Sequence, residues 1–383
     1  MTNLHTQVLA LRDDLNANLL ERETAIDAAL LALLTKEHCL LLGPPGTAKS
    51  LLVRSICERL EGAAYFERLL TKFSTPEELF GPLSLPELEQ GRYERVTKGT
   101  LVEAHIGFVD EVFKANAAIL NSLLTIVNER VFHQGTGLVR VPLLSLFGAS
   151  NELPEDAGLA ALHDRFLLRV TVPYLADDQN LRSLLLGQPT APSAKLTLDE
   201  LRAAQVEVER VALADTALDA IVTIRRELAA EGVEVSDRRW KACAKLVRAR
   251  AWLSGETMAT DEHCEVLVHA LWSEPSQQRL VERVVSKTVN PLNLEAVELE
   301  DAARDLWSQR PDPTDAALTA KLEPLLRQIV DIHTRLETRI ANATPTKTAR
   351  ARAALNQVEC WHHELASLAL RSLSRLHLAP GAA

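Results

Sequence analysis

Apolar residues fall in two rhythms along this chain. Short continuous runs, "HCLLLG" at 38–43 and Ile106, Phe108 and Val109 in "HIGFVD", read as buried strands, and a third strand opens "LLSLFGASNELPED" at 143–156. Helical spacing follows the first two, in "KSLLVRSICERL" and in the stretch carrying Ile119, Leu123, Leu124 and Val127. "LAALHDRFLLRVTVPY" then runs from a short helix into a further strand, and the alternating apolar residues of "RVFHQGTGLVRVP" (130–142) suit a hairpin turning at "GTG". Strands alternating with helices in this way predict an α/β fold, a parallel sheet flanked by helices. After Pro173 the pattern turns helical, with amphipathic segments around 197–208, 214–230 and 236–254 and a linker at "GQPTAPSAK" (187–195). Beyond residue 290 three more helices are predicted, at 294–309, 314–342 and 347–378. Leu318, Leu322, Leu325, Ile329, Ile332, Leu336 and Ile340 share one helical face, as do Leu355, Val358, Leu365 and Leu368. The last two helices are therefore expected to pair antiparallel across "NATPTK", with Pro324 placed to kink the first.

Composition narrows what such a chain can be. Its 383 residues, 47% hydrophobic and 25% charged, suffice for two or three packed domains. No apolar run approaches the roughly 18 residues of a membrane span, and the N-terminus lacks a basic lead and cleavage site, so a soluble cytoplasmic protein is expected. Five cysteines without a C-x-x-C pairing point to reduced, mostly buried thiols rather than zinc ligands. A net charge of -10 removes the global attraction to polyanions, which speaks against nucleic acid as the partner.

The chemistry concentrates where strands end. "LLGPPGTAKSLLVR" (41–54) nearly matches G-x-x-x-x-G-K-[ST], running through Gly43, Pro44, Pro45, Gly46, Thr47, Ala48, Lys49 and Ser50, with Leu51 next. Between strand and helix, such a loop turns backbone N–H groups and the positive end of a helix toward phosphates. Lys49 would add a full charge, and the Ser50 hydroxyl would be a Mg²⁺ ligand. Ala48 stands where glycine is expected; alanine favours helical φ/ψ, which the first helical turn accepts at modest cost. A Gly/Pro turn before a helix would read the same way. Asp110, closing the second strand, would hold Mg²⁺, and Glu111 would polarise the attacking water; an Asp-Glu pair also commonly caps a helix. After the third strand, the Asn151 amide can bond both a γ-phosphate oxygen and a lytic water, although asparagine is equally an ordinary turn residue. Arg165, in "HDRF", could reach a neighbouring subunit as an arginine finger or pair with an acidic neighbour.

The order of these elements resembles the AAA+ ATPases, within them the MoxR family and most closely its RavA branch. Carrying the resemblance are Gly43 to Ser50, "TKFSTPEELFGPLS" (71–84), "GRYERVTKGTL" (91–101), "FVDEVFKANAAILNSLLTIVNER" (108–130), "GASNELPED" (148–156), "LHDRF" (162–166) and "VSDRRWKACAKLVRARAWLSG" (235–255). The resemblance makes Ala48 a trait of the RavA type. It implies a P-loop AAA+ core at 1–173, an all-helical lid at 174–290 and a C-terminal helical domain at 291–383. It implies ATP and Mg²⁺, a homo-oligomeric ring of hexamer type, and chaperone-like remodelling of a client, often a von Willebrand factor A domain protein. "LSLPELEQGRYERVTKGTL" falls at the clade's helix-2 insert and residues 130–142 at its pre-sensor-1 hairpin, both facing the pore. Leu20 and Glu21 fall on the adenine side, and Arg238, or Arg239 if the register slips, matches the second sensor, which closes the lid onto the γ-phosphate. RavA-type relatives carry a small partner-binding domain within the C-terminal helices, and no strand-rich insert is visible in this sequence. Two other functions share parts of this pattern: a nucleic-acid motor of the helicase clade, and a scaffold whose nucleotide merely gates assembly.

Overall fold

The computed structural model describes residues 3–135, 137–154, 157–187, 193–312, 318–342 and 348–377. Part of the "GTG" turn, most of the 187–195 linker and most of "NATPTK" lie outside the described residues. The chain packs as two compact units, one of residues 1–221 with 228–278 and one of residues 222–227 with 279–383.

At the heart of the first unit is a sheet of five parallel strands: β1 (His38–Leu42), β2 (Tyr65–Leu69), β3 (Ile106–Asp110), β4 (Ser145–Ser150) and β5 (Phe166–Thr171), in the order β2-β3-β4-β1-β5. The inner strands read as unbroken apolar runs because helices cover both faces. β2 is the strand that periodicity does not announce: it lies at the edge, and only Phe66 among "YFERL" is buried. Helix α1 (Asn3–Asn18) and the almost wholly apolar α2 (Glu23–Thr35) pack on one side, the latter buried from Ala25 to Thr35 but for Asp27. Register fixes two edges. Leu42 stands beside Ser150 and Thr171 at the carboxyl edge, and His38 stands beside Phe166 at the amino edge.

The expected hairpin forms from Val131–Gln134 and Gly137–Arg140, antiparallel. Gln134 donates from Nε2 to Arg95 O (2.7 Å), joining it to the excursion at 82–96, where Leu83 bridges Arg95. Helices Leu198–Arg210, Asp215–Ala230 and Asp237–Leu253 occupy the three amphipathic segments. The first starts at a capping box between Thr197 and Glu200, the third at Ser236, whose Oγ accepts from Arg239 N–H.

The second unit contains Pro291–Ser308, Leu318–Ala341 and Ala349–His377 around a core that includes Leu322, Ile329, Leu336, Ala354, Val358 and Leu365. These are the three predicted helices with ends displaced by a few residues, and the ion pair Arg339–Glu295 and the contact His333–Glu359 mark adjacent helices running antiparallel. Proline is tolerated at 291 because a first-turn N–H has no intrahelical acceptor to lose. Among the described residues of this unit there is no strand. Trp252, Trp272 and Trp361 are buried, as packing helices require, and Cys360 is exposed while the other four cysteines are buried. No helix among the described residues is long and apolar enough to cross a membrane.

Candidate active site

The register brings three motifs, far apart in sequence, to one edge. β1, β3 and β4 run parallel and end at Leu42, Asp110 and Ser150, so Gly43, Glu111 and Asn151 leave the sheet on the same side. Gly43 N–H donates to Ser150 O at 3.1 Å, which fixes the start of the loop against the strand that delivers Asn151. β1 and β4 are the neighbours at which the winding of the sheet reverses, the place where open α/β sheets bind ligands.

The loop itself is held in unusual backbone conformations. Gly43 has φ of +152°, and a Cβ there would lie 2.2 Å from Val172 O; Gly46 has φ of +80°. Ala48 does not adopt the helical φ/ψ expected of it. It is left-handed, at φ 64° and ψ 26°, and helix α3 (Lys49–Glu58) starts one residue later. A Cβ-bearing residue in this region costs roughly 1–2 kcal/mol, which glycine would not. The loop's own groups brace it: Thr47 is buried and its Oγ1 donates to Pro44 O at 3.0 Å. Lys49 Nζ donates to Gly43 O and Pro44 O, both at 2.8 Å. Burial draws the Lys49 pKa below the ordinary lysine value, while the negative charges of Asp110 and Glu111 oppose the shift. Ser50 is half-buried in the first turn of α3, followed by exposed Leu51.

Glu111 is also left-handed, at φ 51° and ψ 44°. Its N–H donates to Asp110 Oδ1 at 3.0 Å, and its carboxylate pairs with Lys114 Nζ at 3.2 Å. Strain of this kind in a residue other than glycine clusters at functional sites. The capping alternative for the Asp-Glu pair loses support here: the helix at Ala117–Glu129 is capped by Asn116, whose Oδ1 accepts from Ile119 N–H at 3.1 Å. Exposed Asn151 follows Ser150, whose Oγ donates to Glu152 O at 2.6 Å and so pins the turn. A run of amides at a helix start, one ammonium, one hydroxyl and two carboxylates facing that ammonium form a donor set that fits a magnesium nucleotide.

Comparison with known proteins agrees. A family model described as the MoxR domain in the MoxR-vWA-beta-propeller ternary systems matches residues 6–210, and an AAA lid domain model matches 216–285. The chain belongs to the MoxR family of AAA+ ATPases. Two uncharacterized proteins of Methanocaldococcus jannaschii resemble it, one 44% identical over 70% of this chain and 72% of its own length, the other 39% identical over 81% of each. Chaperone MoxR1 of Mycobacterium tuberculosis is 29% identical over 46% of this chain and 47% of its own. The crystal structure of a "putative ATPase" from Cytophaga hutchinsonii shares the fold, with a TM-score of 0.62 at 17% identity over 75% of this chain and 95% of its own. ATPase chemistry, nucleotide binding and a chaperone-like role thus follow at the level of the MoxR family.

Two of the predicted arginines do not join this edge. Arg165 precedes Phe166, which stands beside His38 at the amino edge, and the five-residue length of β1 puts ~13 Å between that level and Leu42. Arg165 is half-buried, with its Nε enclosed. Arg238 lies beside it, paired with the Asp164 carboxylate. Arg239 has a different task. It is 5% exposed and donates to Leu167 O (3.0 Å), Ala270 O (2.7 Å), Asp164 O (2.9 Å) and Phe166 O (3.1 Å). Arg239 thus spends its donors on four carbonyls and on Asp164, whereas Arg238 is half-exposed and pairs with the Asp164 carboxylate.

Sequence reasoning in this MoxR-family chain missed Arg22 and Asp164. Neither sits in a phosphate-binding pattern, and only folding brings the first to the loop and the second between Arg238 and Arg239. Glu21, marked as adenine-side, has a further part: left-handed at φ 56°, it accepts from Ala176 N (2.7 Å), Asp177 N (3.0 Å) and Asn180 Nδ2 (3.0 Å). These bonds, the Ala176 amide foremost, hold its carboxyl below the usual glutamate range.

Proposed function

We propose that this chain hydrolyses ATP within a ring of identical subunits, a hexamer, and uses the cycle to remodel or activate a partner protein bearing a von Willebrand factor A domain. The observation that carries this reading is the convergence of Gly43–Ser50, Asp110, Glu111 and Asn151 on one sheet edge while Arg165 and Arg238 stand on the other. The amides from Gly46 to Leu51, with Lys49, would hold the phosphates, and Ser50 and Asp110 would hold Mg²⁺. Magnesium, when bound, draws negative charge from the β- and γ-phosphates. Glu111 orients and accepts a proton from the attacking water, and Asn151 fixes that water's position. The ~13 Å between edges supports delivery of Arg165, with Arg238 beside it, to the site of an adjacent copy rather than to its own.

The partner reading rests on the description of the matched family, MoxR in MoxR-vWA-beta-propeller ternary systems. The excursion at 82–96 and the hairpin expose Leu85, Tyr93 and Leu138, which suits contact with a client at the pore mouth. The division into core 1–173, lid 174–290 and C-terminal domain 291–383 draws support from the lid match at 216–285, and the RavA affinity rests on Ala48 and the shared stretches. A cytoplasmic location belongs to the same reading.

The test is turnover by the purified full chain. Glu111→Gln is expected to lower ATP hydrolysis about 10²–10⁴-fold while ATP binding persists. Arg165→Ala should bind ATP without splitting it, and activity should partly return on mixing with Glu111→Gln subunits. Unchanged turnover in Glu111→Gln removes that residue from its role, and no recovery at any mixing ratio removes the shared site. Turnover that rises with added DNA would favour a nucleic-acid motor instead.

A further inference from the structure

Arg22 belongs to none of the motifs, yet its guanidinium is buried against the phosphate-binding loop. The residue is 6% exposed. Its Nε donates to Thr47 O at 3.1 Å, Nη1 to Glu21 O at 2.7 Å and Nη2 to Pro173 O at 3.0 Å. One planar fork thus grips the loop, its own neighbour and the segment that follows β5.

The contact with Thr47 bears on the next residue. A trans peptide is planar, so its C=O and N–H point in opposite directions. With the Thr47 oxygen turned to Arg22, the Ala48 N–H is aimed away from the guanidinium, and the Thr47–Ala48 plane is fixed. That plane is the one Ala48 must accept in order to sit at φ 64°, a conformation its Cβ resists. We infer that Arg22 is a positioning residue of the nucleotide site: its grip on the Thr47 carbonyl holds the loop in the left-handed conformation that alanine at 48 disfavours. The inference rests on the nucleotide site proposed above. It also explains how a loop without glycine before its lysine keeps the shape of one that has it. Charge assistance and burial make this a strong hydrogen bond, because no water competes for the carbonyl.

The prediction is a specific rescue. With Mg²⁺ and fluorescent N-methylanthraniloyl-ADP as the probe, Arg22→Met in the full chain should weaken affinity about tenfold, the worth of one buried charge-assisted hydrogen bond. With the affinity of Ala48→Gly taken as the reference, adding Arg22→Met to it should cost no more than about twofold, since glycine removes the need for the grip. Arg22→Lys, which replaces the three donating nitrogens of the fork by one ammonium, carries the same test should Arg22→Met fail to fold. The midpoints of thermal unfolding for the same variants without nucleotide should show the same non-additivity. A loss in Arg22→Met that Ala48→Gly does not reduce, additive midpoints, or unchanged affinity in Arg22→Met would each overturn the inference. Lys49→Ala separates the two claims: if it binds the probe as the unaltered protein does, the nucleotide-site reading fails, and the unfolding midpoints still judge Arg22.

Discussion

The two edges of the central sheet are built from the same five strands and spend their polar groups in opposite ways. At the carboxyl edge the backbone is strained and the side chains are left accessible: Gly43, Gly46, Ala48 and Glu111 all have positive φ, and Ser50, Asp110 and Glu111 are half-buried. At the amino edge buried and half-buried cations take up carbonyls. Arg239 is joined by Arg169, 1% exposed and reaching from mid-strand, beside Leu40, to Trp272 O and His163 O, and by half-buried Arg130, whose Nη2 donates to Lys36 O at 2.9 Å. The contrast has a physical origin. Strand ends that meet helix starts present N–H groups, which suit anions, whereas the start of β5 presents carbonyls, which suit arginines. In the proposed function one edge holds phosphates and the other presents an arginine from a rigid base.

The amino edge can be broken first. Arg239→Met strips four buried carbonyls of their donor and should cost about 3–5 kcal/mol in urea unfolding, the size typical of an abandoned buried charge network. A cost under about 1 kcal/mol would show that water or a neighbouring donor replaces it easily. Next is the carboxyl edge. Gly43→Ala forces a Cβ to within 2.2 Å of Val172 O and should destabilise by about 1–3 kcal/mol, with nucleotide affinity falling alongside; a variant that melts and binds normally would mean that the loop yields freely. The function of the amino edge can be sharpened by Arg238→Ala, which removes an exposed pair and should change stability by less than about 0.5 kcal/mol. Turnover should nonetheless fall about 100-fold if this arginine steadies charge at the adjacent copy's site, as loss of one such donor does elsewhere. Parallel losses of stability and rate would instead make it a structural residue.

The last effect is a pH dependence to which His163, before the start of β5, contributes. His163 is buried, and burial first, with the charges of Arg169 and Arg239 adding to it, pushes its pKa from the ordinary 6.5 down to about 3. The folded form keeps the ring neutral while the unfolded chain protonates it below 6.5, so this contribution is full above pH 6.5 and is lost as pH falls toward 3. The slope should approach about 1.4 kcal/mol per pH unit within that window. His163→Phe should reduce the difference in urea midpoint between pH 7 and pH 5, and an unchanged difference would assign the acid sensitivity to other buried histidines such as His38 and His269.

How much of this was legible beforehand varied with the kind of signal. Long apolar repeats announced the last three helices of the second unit to within a few residues, because burial of one face repeats every three or four positions, whereas Gln278–Val289 went unannounced. The inner strands were announced by unbroken apolar runs. β2 was not, since an edge strand may carry Glu67 and Arg68 toward solvent and loses the pattern that marks its neighbours. The loop from Gly43 to Ser50 and the Asp110–Glu111 pair were legible as local words. Ala48 was misread because its identity suggests helix, while the turn it occupies demands a left-handed residue.

What the sequence determined by itself were the elements with a local cause: apolar periodicity, the glycines of the phosphate loop, the capping residues and the chemical kinds of the site side chains. Tertiary structure decided which of them meet. Parallel register carried Gly43, Glu111 and Asn151 to one edge and Arg165 to the other, while helix packing set Arg238 against Asp164 and folded Arg22 onto a carbonyl 25 residues away. Such choices escape a reading along the chain because the partner of a buried cation is a backbone oxygen, a group every residue owns and no side chain announces.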